Sequence, residues 1–239
     1  MRKSLAVLAL SAAVAFTAEA KAATVTLDAL AFGTTTPPVV AGQVLETFDS
    51  RTTGSLANFT NGALTFSSTG ASIQNGSLAN QYVAPFFSGG ADSTNYLSVL
   101  GNTTEQIKVN SGSVGSYFGL YIGSLDTYNS ISFYVSNGLI HTFSGTEIAS
   151  LTGLSASQSP NTTSQDANRY VEFNFGIGSF FDTVVLSSAQ NSLELDNVAV
   201  TVTQGVPETS TWIMMILGFL SVGLIGYRRR GGPVALRLV

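Results

Sequence analysis

The chain contains no cysteine, which excludes a disulfide framework, a thiolate zinc centre and a cysteine nucleophile. Charge is equally sparse. Ten basic and fourteen acidic residues make up 10% of the 239 positions, against about 25% in an ordinary soluble domain. Seven of the ten bases lie near the ends, at Arg2, Lys3, Lys21, Arg228, Arg229, Arg230 and Arg237. Between Thr24 and Val206 only Arg51, Lys108 and Arg169 stand against twelve carboxylates, a formal charge of −9. Three scattered bases cannot displace counterions from a phosphate backbone, so a nucleic-acid partner is excluded. With one histidine in the whole chain, a histidine-rich metal site is excluded by count. Disorder is argued against by what is present: 44% apolar residues, with fifteen Phe and eight Tyr.

What is present first shows itself as a period of two. Ile131, Phe133 and Val135 alternate with Ser132, Tyr134 and Ser136, and Val171, Phe173 and Phe175 alternate with Tyr170, Glu172 and Asn174. Phe118, Leu120 and Ile122, and Val198, Val200 and Val202, repeat the pattern. Such alternation predicts strands with one buried face. Asn61-Gly62, Asn75-Gly76, Gly89-Gly90 and Asn137-Gly138 punctuate it, because such pairs supply the positive φ of tight hairpins. Residues 24–205 are therefore expected to form a single all-β domain, a jelly-roll-like β-sandwich. No repeat of solenoid or propeller period interrupts it, and residues 155–168 form its longest polar connection.

The two ends read as addresses. Arg2 and Lys3 precede an apolar, alanine-rich run over residues 5–16, and Ala18, Ala20 and Ala22 offer small-residue cleavage positions. Residues 1–22 are thus expected to be a secretory signal peptide. At the other end, residues 212–227 (WIMMILGFLSVGLIGY) carry no charge. Sixteen helical residues cover about 24 Å, slightly short of a ~30 Å hydrocarbon core, and flanking residues can extend them. Trp212 and Tyr227 stand where interfacial aromatics belong, and Arg228, Arg229 and Arg230 mark a cytoplasmic side. One transmembrane helix is expected here, with residues 231–239 as a cytoplasmic tail.

Residues 206–230 (VPETSTWIMMILGFLSVGLIGYRRR) resemble a PEP-CTERM sorting signal: a short Val-Pro-Glu-Pro motif, one transmembrane helix and an arginine cluster. The matching positions are Val206, Pro207, Glu208, Ser210, Thr211, Trp212, Met214, Met215, Gly218, Phe219 and Arg228 to Arg230, with Thr209 in place of the second proline. The resemblance implies recognition and processing near the Pro-Glu motif by an integral-membrane exosortase, in a Gram-negative bacterium that makes exopolysaccharide. Pro207 cannot continue a helix and biases Val206 toward extended backbone, which keeps such a site accessible. Segments 96–101 (YLSVLG), 118–129 (FGLYIGSLDTYN) and 181–198 (FDTVVLSSAQNSLELDNV) also resemble exosortase-dependent surface proteins. This implies surface display and no established chemistry.

Candidate chemistry is thin. His141 lies in a strand-like segment and no G-x-S-x-G elbow accompanies it, so it is expected on a polar strand face. Glu194 and Asp196 are two residues apart and share one strand face about 6.5 to 7 Å apart. They suit a solvated face or bulge, calcium ligands, or a hydrolase acid pair, and Leu193 and Leu195 on the buried face favour the first. Asp126 is expected to brace a turn, with calcium the alternative. Tyr82, Tyr117, Tyr121, Tyr128 and Tyr134 could stack on sugar rings, although cross-strand aromatic pairing is the simpler expectation. The sequence thus predicts a non-enzymatic, exported surface or extracellular-matrix protein. Its sorting would rest on Val206, Pro207, Glu208, Trp212 and Arg228 to Arg230. A carbohydrate- or calcium-binding module is the alternative.

Overall fold

A computed structural model describes residues 23–157, 163–204 and 209–230. Among these residues the first eight strands are short: β1 (Val25–Ala29), β2 (Gln43–Glu46), β3 (Gly54–Ser55), β4 (Phe59–Asn61), β5 (Leu64–Ser68), β6 (Ser72–Gln74), β7 (Phe86–Phe87) and β8 (Gly90–Ala91). Next come β9 (Tyr96–Val99) and the longer strands β10 (Thr103–Val109), β11 (Ser113–Gly123), β12 (Asn129–Val135) and β13 (Gly138–Ser144). Helix α1 (Gly145–Thr152) precedes β14 (Arg169–Phe175), β15 (Thr183–Ser188) and β16 (Leu193–Gln204), and α2 (Thr209–Arg230) comes last. The described residues are mostly β, as the alternation predicts.

The strands form two large antiparallel sheets. One runs β1-β14-β11-β16-β9-β6-β3, with β2 also paired to β16; the other runs β13-β12-β15-β10-β5-β4. A two-stranded hairpin, β7-β8, stands apart from both. The inner faces meet in one aromatic core. Phe133 of β12 lies 5.6 Å from Phe118 of β11, 5.2 Å from Phe173 and 5.1 Å from Phe175 of β14, 5.3 Å from Phe181 and 6.0 Å from Phe143 between ring centroids. These spacings fall within the range where aromatic pairs attract beyond their buried area.

Local chemistry explains the element ends. The β12–β13 hairpin pairs Val135 with Gly138, and its two central residues, Ser136 and Asn137, have φ of 49° and 65°. The turn is therefore centred one residue before the Asn137-Gly138 pair that marks it in sequence, and Asn137 takes the left-handed conformation. Helix α1 starts at Ser144, whose hydroxyl accepts from the Glu147 amide at 3.2 Å, and ends at Gly153 with φ of 73°.

Candidate functional site

The acidic pair of the sequence sits at the start of β16. Leu193 and Leu195 face the core; Asn197, with φ of 52°, interrupts the alternation where the β11–β16 register shifts. Beyond this bulge Val198 and Val200 enter the same core, which is why two apolar series of opposite phase both lie inside. Glu194 and Asp196 face away from that core, yet the solvated face expected for them is not found: each is only 3% exposed. The reason is nonlocal. Residues 75–95 cover this end of the sheet and are fastened to it. The Val83 amide donates to Glu194 Oε1 at 3.0 Å, the Tyr121 hydroxyl to the Phe86 carbonyl at 2.7 Å, and the Phe86 amide to Asn168 Oδ1 at 3.0 Å.

Two groups of carboxyls result. In the first, Glu194 accepts from the Ser192 hydroxyl, and burial followed by the charge of Asp126 pushes its carboxyl up to about 7 against the hydrogen bonds it receives. Asp126 is 1% exposed with Oδ1 unpartnered, and burial raises it to about 6. Its turn is braced differently from the expectation: Asn129 Oδ1 accepts the Asp126 amide at 2.8 Å, so Asn129 supplies the side-chain brace. The second group lines a cavity of about 400 Å³ with Thr35, Asp49, Asp92, Thr94, Asp196 and Asn197. Burial is the main cause that raises Asp196 to about 8, opposed by the Asn197 amide and reinforced by Asp92 and Asp49.

The other expected residues are dispersed. His141, on β13, pairs with Glu147 of α1 at 2.8 Å in a half-exposed contact on the rim. Tyr121 is fully buried against Phe87, with ring centroids 4.6 Å apart, so it is removed from any sugar-stacking surface. Tyr82, Tyr117, Tyr128 and Tyr134 are half-buried; none has a ring partner among the described residues, so cross-strand aromatic pairing is not what holds them. The Tyr117 hydroxyl donates to Glu172 at 2.8 Å beside an open cleft lined by Gln43 and Asn174. Among the described residues, no group of three or more His, Asp or Glu side chains is arranged to hold a metal ion.

The signal-peptide positions and Val206, Pro207 and Glu208 lie outside the described residues. Trp212, Arg228, Arg229 and Arg230 fall within α2. From Ile213 to Tyr227 every residue of α2 is exposed, including Met214 at 70%, Phe219 at 72% and Val222 at 69%. Among the described residues no helix is long and apolar enough to cross a membrane; the fifteen described side chains of α2 cover about 22 Å.

Sequence reasoning passed over Glu105, Asp92 and Asp49. Glu105 had a signal, since it is in phase with Ile107 and Val109 on β10; it is fully buried with both carboxylate oxygens unpartnered. Asp92 had a weaker one: Asp92-Ser93-Thr94 is an Asx-turn sequence, and Asp92 Oδ1 accepts both the Thr94 amide at 2.8 Å and its hydroxyl at 2.7 Å. No family model matches this chain, and no curated protein matches it.

Proposed function

We propose that this chain is a non-enzymatic surface or extracellular-matrix protein, exported behind its signal peptide, held by α2, and then released by an exosortase acting near Val206, Pro207 and Glu208. The β-rich body, a jelly-roll-like sandwich in this reading, is the displayed part. The observation that carries the proposal is α2. A helix apolar on all sides belongs in a large protein core or in lipid, and the exposed residues from Ile213 to Tyr227 have no core around them. Four further uncharged residues, 209–212, would bring the uncharged helical stretch to about 28 Å, close to a ~30 Å hydrocarbon layer. Arg228 to Arg230 then hold the end of the helix on the cytoplasmic side, and the body faces outward beside exopolysaccharide.

Intact-mass measurement of the surface form tests this. The mature protein is expected to lack α2 and all four C-terminal arginines, and Glu208→Ala should leave full-length precursor in the inner membrane. A surface form that retains residues 209–239, or unchanged processing of the Glu208→Ala chain, would overturn the sorting role.

A further inference from the structure

Two buried carboxylates line the cavity under residues 75–95. Asp92 is 6% exposed and Asp196 3%. Both line the same cavity, and neither carboxylate has a proton to donate once ionised. Asp92 spends Oδ1 on the Asx turn to Thr94, and its Oδ2 is buried with no partner at all. Asp196 uses one oxygen for the Asn197 amide at 2.7 Å and the other for the Asn197 side chain at 3.1 Å. Asp49 stands exposed at the rim of the same cavity. No Lys or Arg lines it.

An unpaired buried carboxylate costs several kcal/mol unless something compensates it. Here the compensating group is not a base of this chain. A divalent cation has the required charge, and about 400 Å³ leaves room for it together with water. The oxygen-rich lining of carboxylates, Thr94 and Asn197 suits a hard ion that tolerates irregular coordination. Mg²⁺ demands near-octahedral geometry and sheds water reluctantly.

We propose that Asp92 and Asp196, with Asp49 at the rim, form a calcium site that ties residues 75–95 to β16. Two buried carboxylates supply the charge, and neutral oxygens and water complete the shell; no third carboxylate needs to close on the ion. The site differs from the Glu194–Asp126 group, neither of whose carboxyls lines this cavity. By this reading Ca²⁺ acts as a clasp between the covering segment and β16.

The test uses the full-length chain in detergent, stripped with EGTA. A two-carboxylate site of this kind is expected to bind with Kd of about 0.1–1 mM, the range of extracellular modules. Adding 10 mM CaCl2 should then raise Tm by roughly 3 to 10 °C, with a much smaller rise in 10 mM MgCl2. Asp92→Asn keeps the shape and the Asx turn and should weaken Ca²⁺ binding about tenfold or more, as should Asp196→Asn. Isothermal titration of the unaltered chain with CaCl2 gives a readout that does not depend on the variants folding. Absence of heat and of a Tm shift at 10 mM Ca²⁺ would overturn the site. Equal shifts in Ca²⁺ and Mg²⁺, or Ca²⁺ binding undiminished in both variants, would overturn it as well.

Discussion

Replacing Glu105 with Gln should abolish the pH dependence that this residue imposes on the fold. Glu105 lies on the core face of β10 between Ser68 of β5 and Leu186 of β15, with both oxygens unpartnered. Burial pushes its carboxyl from 4.5 up to about 8, while the nearby Ser68 hydroxyl and Ser67 main chain act weakly in the other direction. The folded state therefore holds this proton more tightly than the unfolded chain does. Between pH 4.5 and 8 the native form binds more protons, so stability falls as pH rises. Below 4.5 both states are protonated and the group is neutral in effect; above 8 the full penalty is present.

Each pH unit inside that window costs about 1.4 kcal/mol. The loss from this one residue is about 3 kcal/mol at pH 7 and approaches ~5 kcal/mol above pH 8, a large share of a typical 5–15 kcal/mol. Glu105→Gln cannot ionise. Its amide brings a constant penalty of about 1–3 kcal/mol for an unsatisfied donor, but that offset has no slope. Urea unfolding followed by far-UV circular dichroism at pH 5, 6, 7 and 8 measures both proteins. Subtracting the two curves removes the contributions of Asp126, Glu194 and Asp196, which both chains share. The difference should change by about 4 kcal/mol across the series in favour of the Gln chain at high pH. Parallel curves, within about 1 kcal/mol, would refute the argument and mean that Glu105 is solvated or paired.

Two further outcomes follow from the core. Phe133→Ala removes the ring that touches Phe118, Phe143, Phe173, Phe175 and Phe181 and should cost about 3–5 kcal/mol in urea unfolding. Gly115→Ala places a methyl group against the Phe181 ring and should cost about 1–3 kcal/mol; Phe181→Leu in the same chain should recover part of the loss, and a fully additive double variant would refute the contact.

Periodicity located the strands because burial on one face is a local property. Phe173 and Phe175, or Ile131 and Phe133, disclose their face to anyone counting in twos. Glu105 obeys the same count, and its phase with Ile107 and Val109 places it inside; only the habit of putting charge outside hides it. Glu194 and Asp196 are a different case. Their phase correctly turns them away from the Phe core, and even the bulge at Asn197 can be read from the clash of Leu193 and Leu195 with Val198 and Val200. What no local pattern contains is the cover: residues 75–95 are a hundred positions away and poor in alternation, and only tertiary contacts such as Val83 to Glu194 bring them over β16. The turn at Ser136-Asn137 shows a smaller version of the same limit. The motif locates the hairpin, but register fixed by cross-strand pairing decides which residues take positive φ.

The charge of the body takes on a different value once burial is counted. A formal −9 treats every carboxylate between Thr24 and Val206 as an anion, yet burial holds Glu105 at about 8, Asp196 at about 8 and Glu194 at about 7. Arg51 is committed to Glu46 at 2.5 Å and stacks 3.7 Å from Phe59, and Arg169 is bound to main-chain carbonyls of Leu30 and Gln165. Arg51 thus answers the buried Glu46, and neither base is paired with Glu105, Glu194 or Asp196. The buried carboxyls left without a base have two ways to stay inside the fold: keep their protons, or recruit cations from outside. Glu105, fully buried in the core, has only the first. Asp92 and Asp196, at a cavity open toward Asp49 and solvent, have the second. The scarcity of positive charge, which in sequence only ruled out partners, thus determines where this fold depends on pH and where it depends on the ions around it.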